Sequence, residues 1–167
     1  MKNATLGQQF LKEMEMEAPA TRKCLERMKT ELFDYKPHDK SMKMGYLAQI
    51  VAEIPRWLQI VADDGEIDFG TFKRSEPKTA EELVKYFDDN MDLARKSLGI
   101  VSDDTLTNKM FELKNKGQLL MSSTRAETVG SSINHIVHHR GQLTVYMRLN
   151  DIHVPSIYGP SADDRSW

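Results

Sequence analysis

The segment 42–62 carries the pattern that most narrows the choice of fold. Its apolar residues recur at intervals of 3, 4, 3, 4 and 3: Met44, Leu47, Val51, Ile54, Leu58 and Val61. This spacing places them on one stripe of an α-helix, as in helices that pack against other helices. The segment therefore predicts a helix that packs on others, with a bend at Pro55.

Three further segments show a helical period, and they complete a bundle. They are 5–30, with a kink expected at Pro19; 79–98, with Thr79 as its cap and Gly99 as its stop; and 125–149. Four long helices favour a four-helix bundle as the economical packing. We predict an all-α fold in which residues 1–167 form one domain.

Two connections between these helices carry signals of their own. Ser41 is the expected cap of the helix over 42–62. The segment 63–78 predicts a long loop with an extended piece near Ile67–Phe72. Asn115-Lys116-Gly117 separates two short apolar runs, which predicts a small hairpin or loop excursion before the last helix.

Charge and composition exclude several classes of protein. The 167 residues carry 25 acidic and 23 basic side chains without a basic patch, so nucleic acid is not an expected partner. No run approaches the roughly 20 apolar residues of a membrane helix, so no membrane association is expected. Cys24 is the only cysteine, which fits a reducing compartment, and a cytoplasmic protein is the expectation. Cys24 lies in a helical pattern and is interpreted as a core residue.

Two histidines on the last helix are the strongest candidates for chemistry. His135 and His139 are four residues apart and so share a helix face, which Gln142 and Tyr146 extend. Two imidazoles at this spacing can hold one divalent metal, although a hydrogen-bonded pair has the same signature. A catalytic zinc site uses three protein ligands, so another helix would have to supply the third.

An arginine interrupts the apolar stripe of the same helix. Arg140 falls between apolar residues of that stripe, and a buried arginine needs a partner. Glu53, on the flank of the helix over 42–62, is the candidate partner. We interpret Arg140 and Glu53 as a structural ion pair in preference to a substrate-binding arginine.

The stretch HIVHHRGQLTVY over 135–146 and the tail VPSIYGPSAD over 154–163 resemble the DinB-like (DNA-damage-inducible) superfamily. The resemblance continues at KPHDKSM over 36–42 and at AEIPRW over 52–57. It implies a four-helix bundle with up-down-down-up connectivity, often a homodimer. It also implies a nickel or zinc ion on three histidines. Some relatives are thiol-dependent transferases or isomerases that use bacillithiol, mycothiol or glutathione.

This chain departs from the family pattern at one ligand. Two of the three metal positions correspond to His135 and His139, but the third corresponds to Ile50, which cannot ligate a metal. Glu53, one turn further along the helix, is the candidate substitute. Trp57 is two turns from Ile50 and is expected to line the same pocket, together with Gln142 and Tyr146.

Two hypotheses about function follow. The first is a metal-dependent thiol transferase or hydrolase with a degenerate site that holds nickel or zinc weakly or not at all. The second is a non-catalytic, metal-free bundle that binds a small apolar ligand or serves as a dimerisation module. A homodimer and a small thiol or apolar ligand are the expected partners.

Overall fold

Residues 4–166 are described by the computed structural model, and within that range the chain forms five helices and a three-stranded sheet. The helices are α1 (Leu6–Glu26), α2 (Met44–Asp63), α3 (Ala80–Ile100), α4 (Asp103–Asn108) and α5 (Arg125–Leu149). The strands are β1 (Glu66–Asp68), β2 (Met110–Asn115) and β3 (Gln118–Thr124). A short 3-10 turn at Thr30–Leu32 lies between α1 and α2. None of the helices in this range is long and apolar enough to span a membrane.

Threonine side chains cap the N-termini of three of the long helices. The Thr5, Thr79 and Thr124 hydroxyls accept hydrogen bonds from backbone N–H groups three residues further on. These bonds satisfy donors that the first helical turn would otherwise leave unpaired. The cap expected at Thr79 is therefore confirmed.

The cap expected at Ser41 is wrong, because α2 begins two residues later. Lys43 occupies the cap position and makes no side-chain cap bond. The N–H groups of Met44 and Gly45 instead donate to the carbonyls of Tyr35 and Phe33, at 2.8 and 2.9 Å. The preceding connector thus satisfies the start of α2 through its backbone.

The four long helices pack as a ring in which α2 lies against α3 and α5, and α1 lies against the same two helices. The start and end of α2 contact the end and start of α5, respectively. The Tyr146 hydroxyl donates to the Met42 carbonyl at 3.2 Å, and the Trp57 ring lies 5.6 Å from the His135 ring. The helices α2 and α5 are therefore antiparallel.

Ion pairs show the direction of α1 against α3. Arg22 contacts Asp88, and Glu15 contacts Arg95. The residue nearer the end of α1, Arg22, contacts the residue nearer the start of α3, Asp88. These two helices are therefore also antiparallel. Both pairs are about half exposed, and such pairs contribute at most about 1 kcal/mol each. The apolar interior, not these pairs, holds the helices together.

A small sheet corrects the all-α expectation. The predicted hairpin is present as β2 and β3, but β1 joins it by pairing in parallel with β2. The hairpin turn consists of Lys116 and Gly117, with φ values of 49° and 80°. Two successive positive φ values match the right-handed twist of a hairpin, and glycine adopts them without strain.

Asp68 fastens the hairpin turn to the end of β1. Its carboxylate accepts hydrogen bonds from the backbone N–H groups of Gly70, Lys116 and Gly117, at 2.7 to 2.8 Å. These bonds favour the charged form and hold the pKa of Asp68 below its usual value. The sheet is thereby held beside the end of α2.

Arg125 caps the end of α2, and Gly65 makes room for it. Its guanidinium donates to the carbonyl oxygens of Ala62, Asp63 and Asp64, at 2.7 to 3.3 Å. Gly65 has a φ of 80°, and a Cβ there would lie 2.2 Å from the guanidinium. The position therefore requires glycine for two independent reasons.

We expect Gly65→Ala to lower the free energy of unfolding by about 2 kcal/mol, because it combines backbone strain with a displaced, charge-assisted cap. Gly117→Ala is the matched control. Gly117 has the same φ of 80°, but its Cβ would meet nothing within 4 Å. Urea denaturation should show a loss of about 1 kcal/mol for this control. Equal losses in the two variants would mean that displacing the Arg125 guanidinium adds nothing to the cost of the backbone strain.

Cys24 lies fully inside the core. Burial raises the pKa of its thiol to about 11, while the charges of Arg140 and Arg27 partly oppose that rise. A protonated, inaccessible thiol is a poor nucleophile. We expect native protein at pH 8 to react with Ellman's reagent at least about a hundredfold more slowly than protein in urea. Rapid labelling of the native protein would contradict this prediction.

Candidate ligand and metal site

His135 and His139 meet on α5 as a hydrogen-bonded pair. Their Nε2 atoms are 2.7 Å apart, and the ring centroids are 4.4 Å apart. Gln142 Oε1 lies 2.7 Å from His139 Nδ1. The amide oxygen can only accept, so His139 carries its proton on Nδ1, and its Nε2 accepts from the Nε2–H of His135. In this arrangement the Nε2 lone pair of His139 is engaged by His135, and the Nε2 of His135 carries the proton.

Burial acts on the protonation of His135. It lowers the pKa of His135, and the neighbouring imidazoles of His139 and His138 lower it further. Desolvation disfavours the charged form of a base, and a second positive charge nearby disfavours it again. The neutral form of His135 is therefore favoured near pH 7.

The donor set of this pair is incomplete for a catalytic zinc site, which uses three protein ligands. Two nitrogens on one zinc ion would be about 3.3 Å apart, given Zn–N bonds of about 2.05 Å. The observed separation of 2.7 Å is shorter. No group of three His, Cys, Asp or Glu side chains comes together as a metal site anywhere in residues 4–166.

Ile50 lies on α2 between the two places where that helix contacts α5. Met42 is opposite Tyr146 and Trp57 is opposite His135, so Ile50 falls approximately level with His139. Its side chain is only 8% exposed. At the position where the resemblance implies a third ligand, this chain therefore has a buried hydrocarbon side chain.

Glu53 is not available as a substitute ligand. It is fully buried and points toward α3, where its Oε1 accepts from the Tyr86 hydroxyl at 3.1 Å. Arg74 Nε lies 3.4 Å from Oε2. Burial raises the pKa of Glu53, and the charge of Arg74 partly offsets this effect.

Arg140 pairs with α1, so the predicted ion pair between Glu53 and Arg140 is wrong. Arg140 Nη2 lies 2.6 Å from Glu17 Oε2, and its Nη1 donates to the Thr21 hydroxyl at 3.0 Å. Arg140 also donates to the hydroxyl of Tyr158, which belongs to the C-terminal tail. The helical period placed Arg140 inside the bundle, but α5 borders both α1 and α2, and Arg140 faces α1.

The pocket residues expected around the histidines have different roles. Trp57 packs on His135 and lines a cavity with it. Gln142 holds His139, whereas Tyr146 packs edge-on against Tyr35 with ring centroids 6.1 Å apart. Ile50, Gln142 and Tyr146 do not line that cavity.

A cavity of about 490 Å³ opens beside His135, between α2, α5 and the sheet. Its volume is within the range of small-molecule sites, roughly 300–1,000 Å³. One wall is apolar and includes Ile67, Phe111, Leu113 and Met121 from the three strands. These four residues were missed by sequence reasoning. Phe111 and Leu113 are two residues apart on β2, so the sequence places them on one face of the strand. It does not indicate which element that face packs against.

The wall that α5 contributes is polar. It consists of Thr128, Ser131, Ser132, Asn134, His135 and His138. Trp57 and Val61 of α2 complete the lining. No residue of the lining is Asp, Glu, Lys or Arg, so the cavity has no fixed charge.

Two adjacent serines on this wall differ in their bonding. The Ser131 hydroxyl donates to the Thr128 carbonyl at 3.1 Å. Only 6% of the surface of Ser132 is exposed, and no hydrogen bond of its hydroxyl is found among residues 4–166, although the hydroxyl oxygen itself is not a fully buried atom. Ser132 therefore presents an unused donor and acceptor at the cavity.

Comparison with known proteins identifies the family. The family model described as the DinB family matches residues 1–166, and the chain belongs to that family. A DinB-like protein from Bacillus cereus is similar in structure, with a TM-score of 0.67, 23% identity and coverage of 89% of this chain and 95% of the other. A DinB-like protein from Bacillus subtilis gives a TM-score of 0.65 at 19% identity, covering 87% and 93%. No match to the chain is found among curated proteins.

Proposed function

We propose that this DinB family protein binds a small, mainly apolar molecule in the cavity beside His135, without metal-dependent catalysis. One observation carries the proposal: a 490 Å³ cavity with an apolar wall and no charged lining residue lies beside a histidine pair that is bonded to itself. Concave apolar sites with a few polar groups are typical of ligand pockets.

The apolar wall of the cavity supplies a driving force for ligand binding. Filling a cavity of this size with a ligand would remove apolar surface of Phe111, Leu113 and Met121 from water, at about 25 cal/mol per Å². The polar wall of α5 would orient the bound molecule. The arrangement thus combines a driving force with a means of selection.

The other hypothesis, a metal-dependent thiol transferase or hydrolase, has one feature in its favour. Gln142 fixes the tautomer of His139 so that Nε2 is the unprotonated nitrogen, as supporting residues do in metal sites. Nickel or zinc would be held by His135 and His139 alone. Two imidazoles fall short of the three protein ligands of a catalytic zinc site.

Binding can be tested with Nile red, a neutral apolar dye whose emission reports the polarity around it. We expect saturable binding of one dye per chain. Leu113→Trp, which fills the cavity from β2, should weaken binding at least about tenfold. Leu119→Trp is the matched control on β3, because Leu119 is 53% exposed and does not line the cavity. Equal affinities in the two variants would overturn the proposal.

Metal content separates the two hypotheses independently. Protein purified without an affinity tag or chelator should contain well under one nickel or zinc per chain. About one ion per chain, lost in His135→Ala, would support the metal-dependent hypothesis and contradict ours.

A further inference from the structure

We propose that the cavity selects neutral amphipathic ligands: molecules with an apolar body and one uncharged hydrogen-bonding group, such as an alcohol, that bonds to Ser132. This inference rests on the proposed function, because it names the ligand class of the same site.

The lining explains the preference for an uncharged group. Twelve residues surround the cavity, and none carries a fixed charge. The buried charged residues of α2 and α5 do not line it: Glu53 is engaged with Arg74, Arg140 with Glu17, and Arg125 with the carbonyl oxygens at the end of α2. A carboxylate or an ammonium group would lose its hydration in the cavity without gaining an ion pair, which is costly.

Ser132 supplies the anchor for the uncharged group. Ser132 lines the cavity with only 6% of its residue surface exposed, and no hydrogen bond of its hydroxyl is found within the described part of the chain. A hydroxyl can both donate and accept, so it can bond to an alcohol or a carbonyl. Leaving it unpaired beside a bound alkane would cost part of a hydrogen bond, so a ligand that pairs with it is favoured.

The opposite wall explains the apolar body. Phe111 and Leu113 of β2 and Met121 of β3 face α5 across the cavity. A ligand whose polar end is at Ser132 would lay its hydrocarbon against these strands. The polar and apolar walls thus set the orientation of the bound molecule as well as its class.

The test compares three ligands that share one hydrocarbon chain: 1-decanol, decanoate and decylammonium. Calorimetric titration at pH 7.5, below the micelle-forming concentrations, should show 1-decanol binding at least about tenfold more tightly than either ion. Tighter binding of decanoate or decylammonium, or equal binding of all three, would overturn the inference while leaving the proposed function standing. Failure of all three ligands and of Nile red would overturn both.

A pair of α5 variants tests the anchor. Ser132→Ala should weaken 1-decanol binding roughly three- to tenfold, the effect of one hydrogen bond. Thr144→Ala is the matched control on the same helix, since its hydroxyl bonds to the Gly141 carbonyl and Thr144 does not line the cavity, and it should change 1-decanol affinity less than twofold. Equal losses in the two variants would contradict a role for Ser132.

Discussion

Replacing Ile50 with histidine is expected to create a zinc or nickel site of submicromolar affinity in a protein that otherwise binds these ions at least about a hundredfold more weakly. Ile50 lies on α2 approximately level with His139, on the helix that faces α5. A third imidazole would complete the three-ligand set. The histidine nitrogens would need to separate by only about 0.6 Å to reach zinc-site spacing.

Zinc titration by calorimetry measures the gain at Ile50→His, and a rise in Tm with added zinc confirms it. Gln49→His is the matched control, because it adds an imidazole to the same turn of α2 about 100° away around the helix axis. Only the first variant should bind tightly. Tight zinc binding by both variants would show that an added histidine on α2 suffices whichever way it faces. Tight binding by neither would show that the geometry of the groove has diverged.

Replacing Glu17 with alanine is expected to destabilise the protein by about 3 kcal/mol. The Glu17 and Arg140 side chains are 12% and 2% exposed, so the change leaves a buried guanidinium without its carboxylate. An unpaired buried charge is costly because it has lost its hydration and gained nothing in return. Urea denaturation measures the loss.

Glu15→Ala provides the control for this change on the same helix. Glu15 pairs with Arg95, but those side chains are 40% and 43% exposed, so less than about 1 kcal/mol should be lost. The double variant Glu17→Leu with Arg140→Met should recover most of the stability, since it removes both charges. If the double variant is as unstable as Glu17→Ala, packing and not the unpaired charge is responsible.

The helices were predictable because their apolar residues repeat at the helical period over twenty residues or more. The strand β1 is only three residues long, too short for its alternation to be distinguished from a loop. Pairing with β2, which is more than forty residues away, is what makes it a strand. Such a pairing leaves little trace in the local sequence.

The candidate site was predictable on α5 and, through the family resemblance, at Trp57 of α2. A spacing of four residues on α5 was enough to bring His135 and His139 together. The same reasoning could not decide which neighbouring helix Arg140 faces. It therefore named Glu53 as the ion-pair partner of Arg140, whereas the partner is Glu17. The cavity was missed because its apolar wall comes from strands whose position against α5 depends on tertiary packing.

The bond from Arg140 to Tyr158 makes the tail after α5 part of the folding unit. Arg148 and Arg27 bind the same tail through Asp163 and Asp164. An engineer who trimmed the chain at Leu149, where regular secondary structure ends, would cut through the domain and remove a partner of a buried cation. The useful boundary for truncation or for attaching a second protein therefore lies after Asp164, not at the last helical residue.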